Sequence, residues 1–202
     1  MDDRVAITLL RHGLTKANEE KRYLGWSDVG LSEKGRKQLQ TYATSDYPTG
    51  DLYLSSDLLR CVQTLEVLYP HRPYDVEKNL RECHFGNWEL KTYHELKHQQ
   101  EYRNWLTNPS DHAPINGEGM QQFNQRVTIA WQKVISYFEA EHIRHLIIVT
   151  HGGVIRALLS DYAPVKKEFW EWEIGHGKGY TLIGDRQQVR GNQRCTLLQE
   201  VP

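Results

Sequence analysis

The sequence predicts an α/β protein: a three-layer α/β/α sandwich with a largely parallel central sheet and a small helical and loop cap. Three observations carry this. The runs VAITLL (5–10) and LIIV (146–149) are continuously apolar, lacking the alternation of half-exposed strands, and read as strands buried on both faces. Each runs into a glycine-bearing turn and then an amphipathic stretch, the strand–helix alternation of parallel sheets. The length, 202 residues, suits one domain, 1–202, with a cap-like insertion around 91–120.

Taken in order, the first strand covers 5–10 and breaks at Arg11-His12-Gly13. Ser32 is placed as the N-cap of a helix whose apolar face continues through Leu39 and Tyr42. Residues 51–55 make a second strand. The helix after it is expected to carry Leu58, Leu59, Val62, Leu65 and Leu68 on its buried side. Pro70 and Pro73 end that helix and flank a third strand near 74–76. Residues 91–126 change in texture, rich in His, Gln, Asn and aromatics and punctuated by Pro109, Pro114, Gly117 and Gly119. Here a helix is predicted over 92–106, an irregular loop to 117 and a long helix over 118–140. Residues 145–150 form the most strand-like run of the chain. His151-Gly152-Gly153 leads into a helix over 154–159, and weaker strands near 180–183 and 195–198 close the sequence.

Composition excludes several classes of function. Lys and Arg number 25 against 26 Asp and Glu, for a net charge of -1, so nothing draws the chain to nucleic acid or an anionic membrane. No apolar run approaches the roughly 18 residues of a spanning helix. The start, MDDRVAITLLRHG, does not have the pattern of a secretory signal, and a cytoplasmic location is expected. Cys61, Cys83 and Cys195 lie far apart without a C-x-x-C pair, which argues against a disulfide framework and a thiolate metal site.

The chemistry-bearing pattern lies at the strand ends. Two buried strands terminate in Arg11-His12-Gly13 and Thr150-His151-Gly152, and in parallel sheets such carboxyl ends line the ligand crevice. Arg60 lies one turn into the helix after the strand at 51–55. Guanidinium forks and helix N-terminal amides such as that of Gly152 match a tetrahedral oxyanion. A neutral imidazole among these cations is a nucleophile for phosphoryl transfer, with no metal or cofactor required. The competing reading has both histidines merely capping strands through hydrogen bonds.

These residues fall in four segments: LLRHGLTKAN (9–18), LSSDLLRCVQT (54–64), LRECHFGNWE (80–89) and IVTHGGVIR (148–156). In that order they resemble the histidine phosphatase superfamily, the phosphoglycerate-mutase-like proteins. The resemblance implies a small-molecule phosphate monoester as partner, His12 as the phosphorylated nucleophile, Arg11, Arg60 and His151 as its phosphate-pocket companions, and Asn18 as a further phosphate-site residue. It makes Glu82 the proton donor and acceptor, where the residue alone would read as an exposed partner of Arg81 or Lys78. Leu14 stands where many members carry Glu or Gln, and Leu90 where Gly is common.

Within the family, HGGVIR (151–156) and FGNWE resemble phosphatases more than cofactor-dependent phosphoglycerate mutases, the alternative. The segment 113–119 with Arg126-Val127 resembles the α-ribazole-5'-phosphate phosphatases of cobalamin nucleotide-loop assembly. There Gly117 and Gly119 would let backbone amides approach a ligand. Trp88, Trp105, Trp131, Trp170 and Trp172 are read as core or cap packing, with stacking of Tyr23, Tyr93 and Trp105 on a planar substrate as the alternative. Two readings of a different class stand beside this: a non-catalytic phosphate-binding module, and a zinc peptidase through His94-Glu95-Leu96-Lys97-His98. The sequence leaves open whether His84 or His176 reaches the pocket, and the oligomeric state.

Overall fold

Six strands join in one sheet in the order β3-β2-β4-β1-β5-β6. They are β1 (Arg4–Arg11), β2 (Leu52–Ser55), β3 (Asp75–Val76), β4 (His145–Thr150), β5 (Gly179–Asp185) and β6 (Leu197–Val201). The computed structural model describes residues 3–42 and 47–202, so Met1 and Asp2 of the N-terminal reading lie outside the described residues. The β1–β4, β4–β2 and β2–β3 pairs are parallel, whereas β5 lies antiparallel on β1 and β6 antiparallel on β5. The antiparallel edge holds the two weaker runs, because only the central strands are covered on both faces and need to be apolar throughout.

Register positions the site. Leu10 lies opposite Val149 and Arg11 opposite Thr150, while Ser55 of β2 also pairs with Val149. The carboxyl ends of β1, β4 and β2 are therefore level, and the His12 N–H donates to the Thr150 carbonyl at 3.0 Å. Both His-Gly turns leave the sheet at one edge.

The two faces of the sheet pack separately. Ile7, Leu9, Leu146 and Ile148 meet α6 (Met120–Ser136), α7 (Gly152–Tyr162) and Val189 of α8 (Arg186–Arg190). Leu10, Tyr53, Ile147 and Val149 meet α2 (Glu33–Tyr42) and α3 (Leu59–Leu68). Ser32 caps α2, accepting from the Gly35 N–H at 3.0 Å. Thr8 is the polar residue within β1, and its hydroxyl is satisfied by His145 Nε2 and Thr181 Oγ1, both at 2.8 Å.

Several elements depart from expectation. The buried side of α3 is Leu58, Cys61, Thr64, Leu65 and Leu68, while Leu59 is 41 % exposed. The helix is rotated so that the guanidinium of Arg60 turns inward. The helix predicted over 92–106 is two, α4 (Tyr93–Leu96) and α5 (Gln100–Thr107), separated by the polar Lys97-His98-Gln99. The long helix begins at Met120 rather than 118, after Gly119, whose N–H donates to the Gln122 side chain at 3.1 Å. α7 starts at Gly152, two residues earlier than expected. Short α1 (Lys16–Glu19) and α8 had no apolar face long enough to announce them. In the segment expected to form a cap, Leu96 and Tyr102 join Trp88, Tyr23, Phe85 and Trp105 in an aromatic cluster apart from the two main cores. Among the described residues no helix is long and apolar enough to cross a membrane.

Candidate active site

The turn after β1 is tied to α3. The Gly13 N–H donates to Thr64 Oγ1 at 2.9 Å, and that hydroxyl donates to the Arg60 carbonyl at 2.6 Å. His12, only 4 % exposed, places Nδ1 2.7 Å from the Gly13 carbonyl. A carbonyl can only accept, so Nδ1 carries the proton and Nε2 keeps its lone pair. Burial, then Arg60 and the neighbouring imidazoles, holds the His12 pKa well below its ordinary value. The ring is neutral at pH 7 and nucleophilic at Nε2.

Two further imidazoles flank it, each with its centroid 5.2 Å from that of His12. His151 opens α7 and is wholly buried. Arg60 Nη2 donates to its Nδ1 at 3.2 Å, so the proton sits on Nε2, which faces Ser56 Oγ at 2.9 Å. His176 donates from Nδ1 to the His12 carbonyl at 3.1 Å, and burial followed by Arg11 lowers its pKa to about 4. The glycine turn at 175–179 thus does reach the site. Cys61 lies against His151, but burial pushes its thiol up to about 12, so it is packing and not a nucleophile.

The cations are anchored by carbonyls. Arg60 is fully buried, with Nη1 on the Ser27 carbonyl at 3.0 Å and Nη2 on the Gly25 carbonyl at 2.6 Å. Arg11 donates from Nη1 to the Ile174 carbonyl at 2.7 Å. Burial lowers both pKa values, that of Arg11 to about 10, so both stay charged at pH 7. The Nε–H groups of both are buried without an acceptor among the described residues. An orphaned buried donor costs about 1–3 kcal/mol, and two on cationic groups suit an anionic ligand.

Gly152 and Gly153 let α7 begin against these side chains. A Cβ at Gly152 would lie 3.3 Å from Arg11 Nε, and one at Gly153 would fall on the Glu82 carboxylate. Glu82 is not an exposed ion-pair partner: Arg81 pairs instead with Asp57 at 2.6 Å. Its Oε2 accepts from the Gly153 N–H at 3.0 Å and its Oε1 from the Cys83 N–H at 2.9 Å. Arg126, ion-paired with Glu118 at 2.7 Å, holds the carbonyls of Asn79 and Arg81 at 2.7 and 2.8 Å, bracing the segment that carries Glu82. That is the structural use of the loop at 113–119. Its glycines pack on backbone and on the start of α6 rather than opening amides toward the cations: Gly117 N donates to the Pro114 carbonyl.

Glu82 and Gly153 also form one wall of a cavity of about 300 Å³. The rest of the lining is mainly aromatic, with Tyr23, Phe85, Trp105, Phe123, Phe169 and Trp170, together with Arg156. Tyr23 is fixed there by a 2.6 Å hydrogen bond between its hydroxyl and that of Tyr102. Trp170, expected as packing, is 61 % exposed, and Tyr93 is exposed outside the cavity.

Other expectations fall elsewhere. Asn18 directs Oδ1 to Thr15, closing the capping box of α1, and makes no hydrogen bond to Arg11 or Arg60. His84 accepts from the Gly86 N–H at 2.9 Å, packs on Trp26 and lines a separate cleft with Asn116 and Gly117. The zinc reading fails on geometry: α4 ends at Leu96, so His98 does not continue the helical face of His94, and Glu95 is engaged by Thr92 and Arg22. Among the described residues no group of three or more His, Cys, Asp or Glu could hold a metal. Sequence reasoning missed Thr64, Ser56, Trp26 and Arg156. Only Arg156 carried a signal, three residues after Gly153 on one helix face.

The profile of the histidine phosphatase superfamily (branch 1) matches residues 7–191. An adenosylcobalamin/α-ribazole phosphatase of Salmonella typhimurium is 32 % identical over 176 residues, 84 % of this chain and 85 % of that protein. The protein of the same name from Escherichia coli K12 is 30 % identical over 175 residues, 84 % and 85 % of the two chains. The solved structure of the α-ribazole phosphatase from Shigella flexneri superposes with a TM-score of 0.79 at 29 % identity, covering 88 % of this chain and 89 % of that one.

Proposed function

The chain belongs to the histidine phosphatase superfamily, branch 1, and from that premise we propose that it is a metal-independent phosphatase working through a phosphohistidine, with α-ribazole-5'-phosphate as substrate. The observation that carries the chemistry is the neutral His12, its Nδ1 proton held by the Gly13 carbonyl and its Nε2 lone pair set among Arg11, Arg60 and His151. Nε2 attacks phosphorus, the P–O bond to the ester oxygen breaks, and Glu82 delivers a proton to the departing alkoxide. The same carboxylate then takes a proton from water, which attacks the phosphohistidine, breaking P–N and releasing phosphate and neutral His12. Arg11 and Arg60 stabilise charge on the equatorial oxygens of both transition states.

The substrate assignment rests on the relatives' names and on the cavity beside Glu82. A leaving group there meets Tyr23, Phe85, Trp105 and Phe169, walls that suit a planar aromatic base better than the small carboxylate-bearing leaving group of a phosphoglycerate. The presence of nucleophile, carboxylate and cations together favours turnover over a binding module. Such a reaction on a free nucleotide monoester involves no nucleic acid or membrane and belongs in the cytoplasm.

Phosphate release with EDTA present, measured on α-ribazole-5'-phosphate, p-nitrophenyl phosphate and 3-phosphoglycerate, tests this. The expected result is preferential hydrolysis of α-ribazole-5'-phosphate, unchanged by EDTA. Equal slow release from all three would remove the substrate assignment. Interconversion of phosphoglycerates without release would make the protein a mutase, and inhibition by EDTA would contradict a metal-free reaction.

A further inference from the structure

Glu89 stands just after the single helical turn at Gly86–Trp88 and touches none of the reacting groups. Its carboxylate nevertheless accepts four backbone N–H bonds: Trp26 at 2.8 Å and Phe85 at 3.0 Å on Oε1, Gly25 and Ser27 at 3.1 Å each on Oε2. A carboxylate offers about four acceptor positions, so the group is saturated. Burial opposes its ionisation, but the N–H bonds from Trp26 and Phe85 outweigh this and hold its pKa below the ordinary value.

Three successive N–H groups converging on one anion dictate where the rest of that loop points. The carbonyls of Gly25 and Ser27 are the acceptors for the two Nη atoms of Arg60. Between them, Trp26 donates from Nε1 to the Glu82 carbonyl at 2.9 Å. The fourth N–H belongs to Phe85, whose ring lines the aromatic cavity. No smaller side chain could replace this grip, and at Gly25 none larger than hydrogen fits, since a Cβ would fall on the Cys83 carbonyl and Glu89 Oε1.

We infer that Glu89 is a positioning residue that sets the phosphate affinity of the site: it binds loop 25–27 by its amides and so aims that loop's carbonyls at Arg60 and its indole at the Glu82 backbone. The inference rests on the assignment of Arg60 to phosphate binding. Glu89→Gln keeps the side-chain length but turns one oxygen into a donor facing N–H groups, so part of the loop loses its acceptor. Glu89→Asp keeps the charge but is one methylene too short to reach residues 25–27 and Phe85 together.

The test is the affinity for inorganic phosphate, measured by calorimetry and as product inhibition, in wild type, Glu89→Gln, Glu89→Asp, Arg60→Lys and Glu89→Gln/Arg60→Lys. Val134→Ala, in the core on α6, serves as a control for destabilisation alone. Glu89→Gln is expected to weaken phosphate binding about tenfold or more, the scale of one charge-assisted hydrogen bond, and to raise KM for p-nitrophenyl phosphate in parallel. In the Arg60→Lys background the same change should have less than about twofold further effect, because both act on one contact. Val134→Ala should lower the melting temperature and leave phosphate affinity unchanged. If Glu89→Gln and Glu89→Asp melt lower but bind phosphate as wild type does, or if the Glu89 and Arg60 effects simply add, the inference is wrong. A wild type that binds phosphate with this dependence yet hydrolyses no ester would overturn the phosphatase reading and leave the role of Glu89 standing.

Discussion

At the residue scale the decisive feature is a proton's location. His12 directs Nδ1–H to a carbonyl one residue away, so its reactive nitrogen is chosen by the backbone of its own turn. The two His-Gly turns and Arg60 were legible because their types and spacing already described a phosphoryl site, whereas Glu82 was picked out only by the family resemblance. Asn18 was not legible, since its capping of α1 is local and looks the same in sequence as a ligand contact. His176 was ambiguous because only the antiparallel placement of β5 brings the turn before it back against His12. Glu82 separates leaving groups in a way that can be measured. Glu82→Gln removes the proton donor, so an alkyl phosphate should lose about 10²–10⁴-fold in kcat, while p-nitrophenyl phosphate, whose phenolate scarcely needs a proton, loses far less in the first step. Single-turnover rates on the two esters compare that step directly, and equal losses would argue against Glu82 as the acid.

At the scale of elements, the strands were read well because burial on both faces leaves an unbroken apolar run, whereas the middle segment was not. Lys97-His98-Gln99 interrupts a helix that composition alone would continue, and the aromatic cluster around Trp88 is held by contacts distant in sequence. Leu90, noted as standing where glycine is common, has φ 59°, the left-handed region. For a side-chain-bearing residue that conformation costs about 1–2 kcal/mol, against about 0.5–1 kcal/mol of extra chain entropy lost by glycine. Leu90 is 40 % exposed, so little packing is lost with it. Leu90→Gly is therefore expected to stabilise the protein by up to about 1 kcal/mol in a urea titration while turnover stays at the wild-type level. A loss of stability would mean that the Leu90 side chain contributes more than its conformation costs.

The whole molecule concentrates buried neutral imidazoles at the carboxyl edge of its sheet. His12 and His151 are held well below the ordinary value of 6.5, and His176 is lowered to about 4, in each case first by burial. Below about pH 6.5 the unfolded chain protonates these groups while the folded chain does not, so stability is lost as pH falls. Each contributes a slope of about 1.4 kcal/mol per pH unit, for His176 between about 6.5 and 4. Denaturant titrations from pH 7 to pH 5 should show this steep loss, and His176→Gln should be less acid-sensitive by one imidazole's share. An identical slope in that variant would show that His176 does not titrate as described. The parallel half of the sheet and its site-bearing edge were legible at this scale. The level register that joins three strand ends needed the structure, because pairing partners leave no trace in a single strand's composition.

The central claim is that phosphate leaves the substrate on His12. It is tested most directly by rapid-quench isolation of the phosphoenzyme formed from α-ribazole-5'-phosphate labelled in its phosphate, followed by peptide mapping. The expected result is an acid-labile, base-stable phosphoryl group on the peptide containing His12, absent from His12→Ala, which should also release no phosphate. Label elsewhere, or steady hydrolysis by His12→Ala, would contradict it.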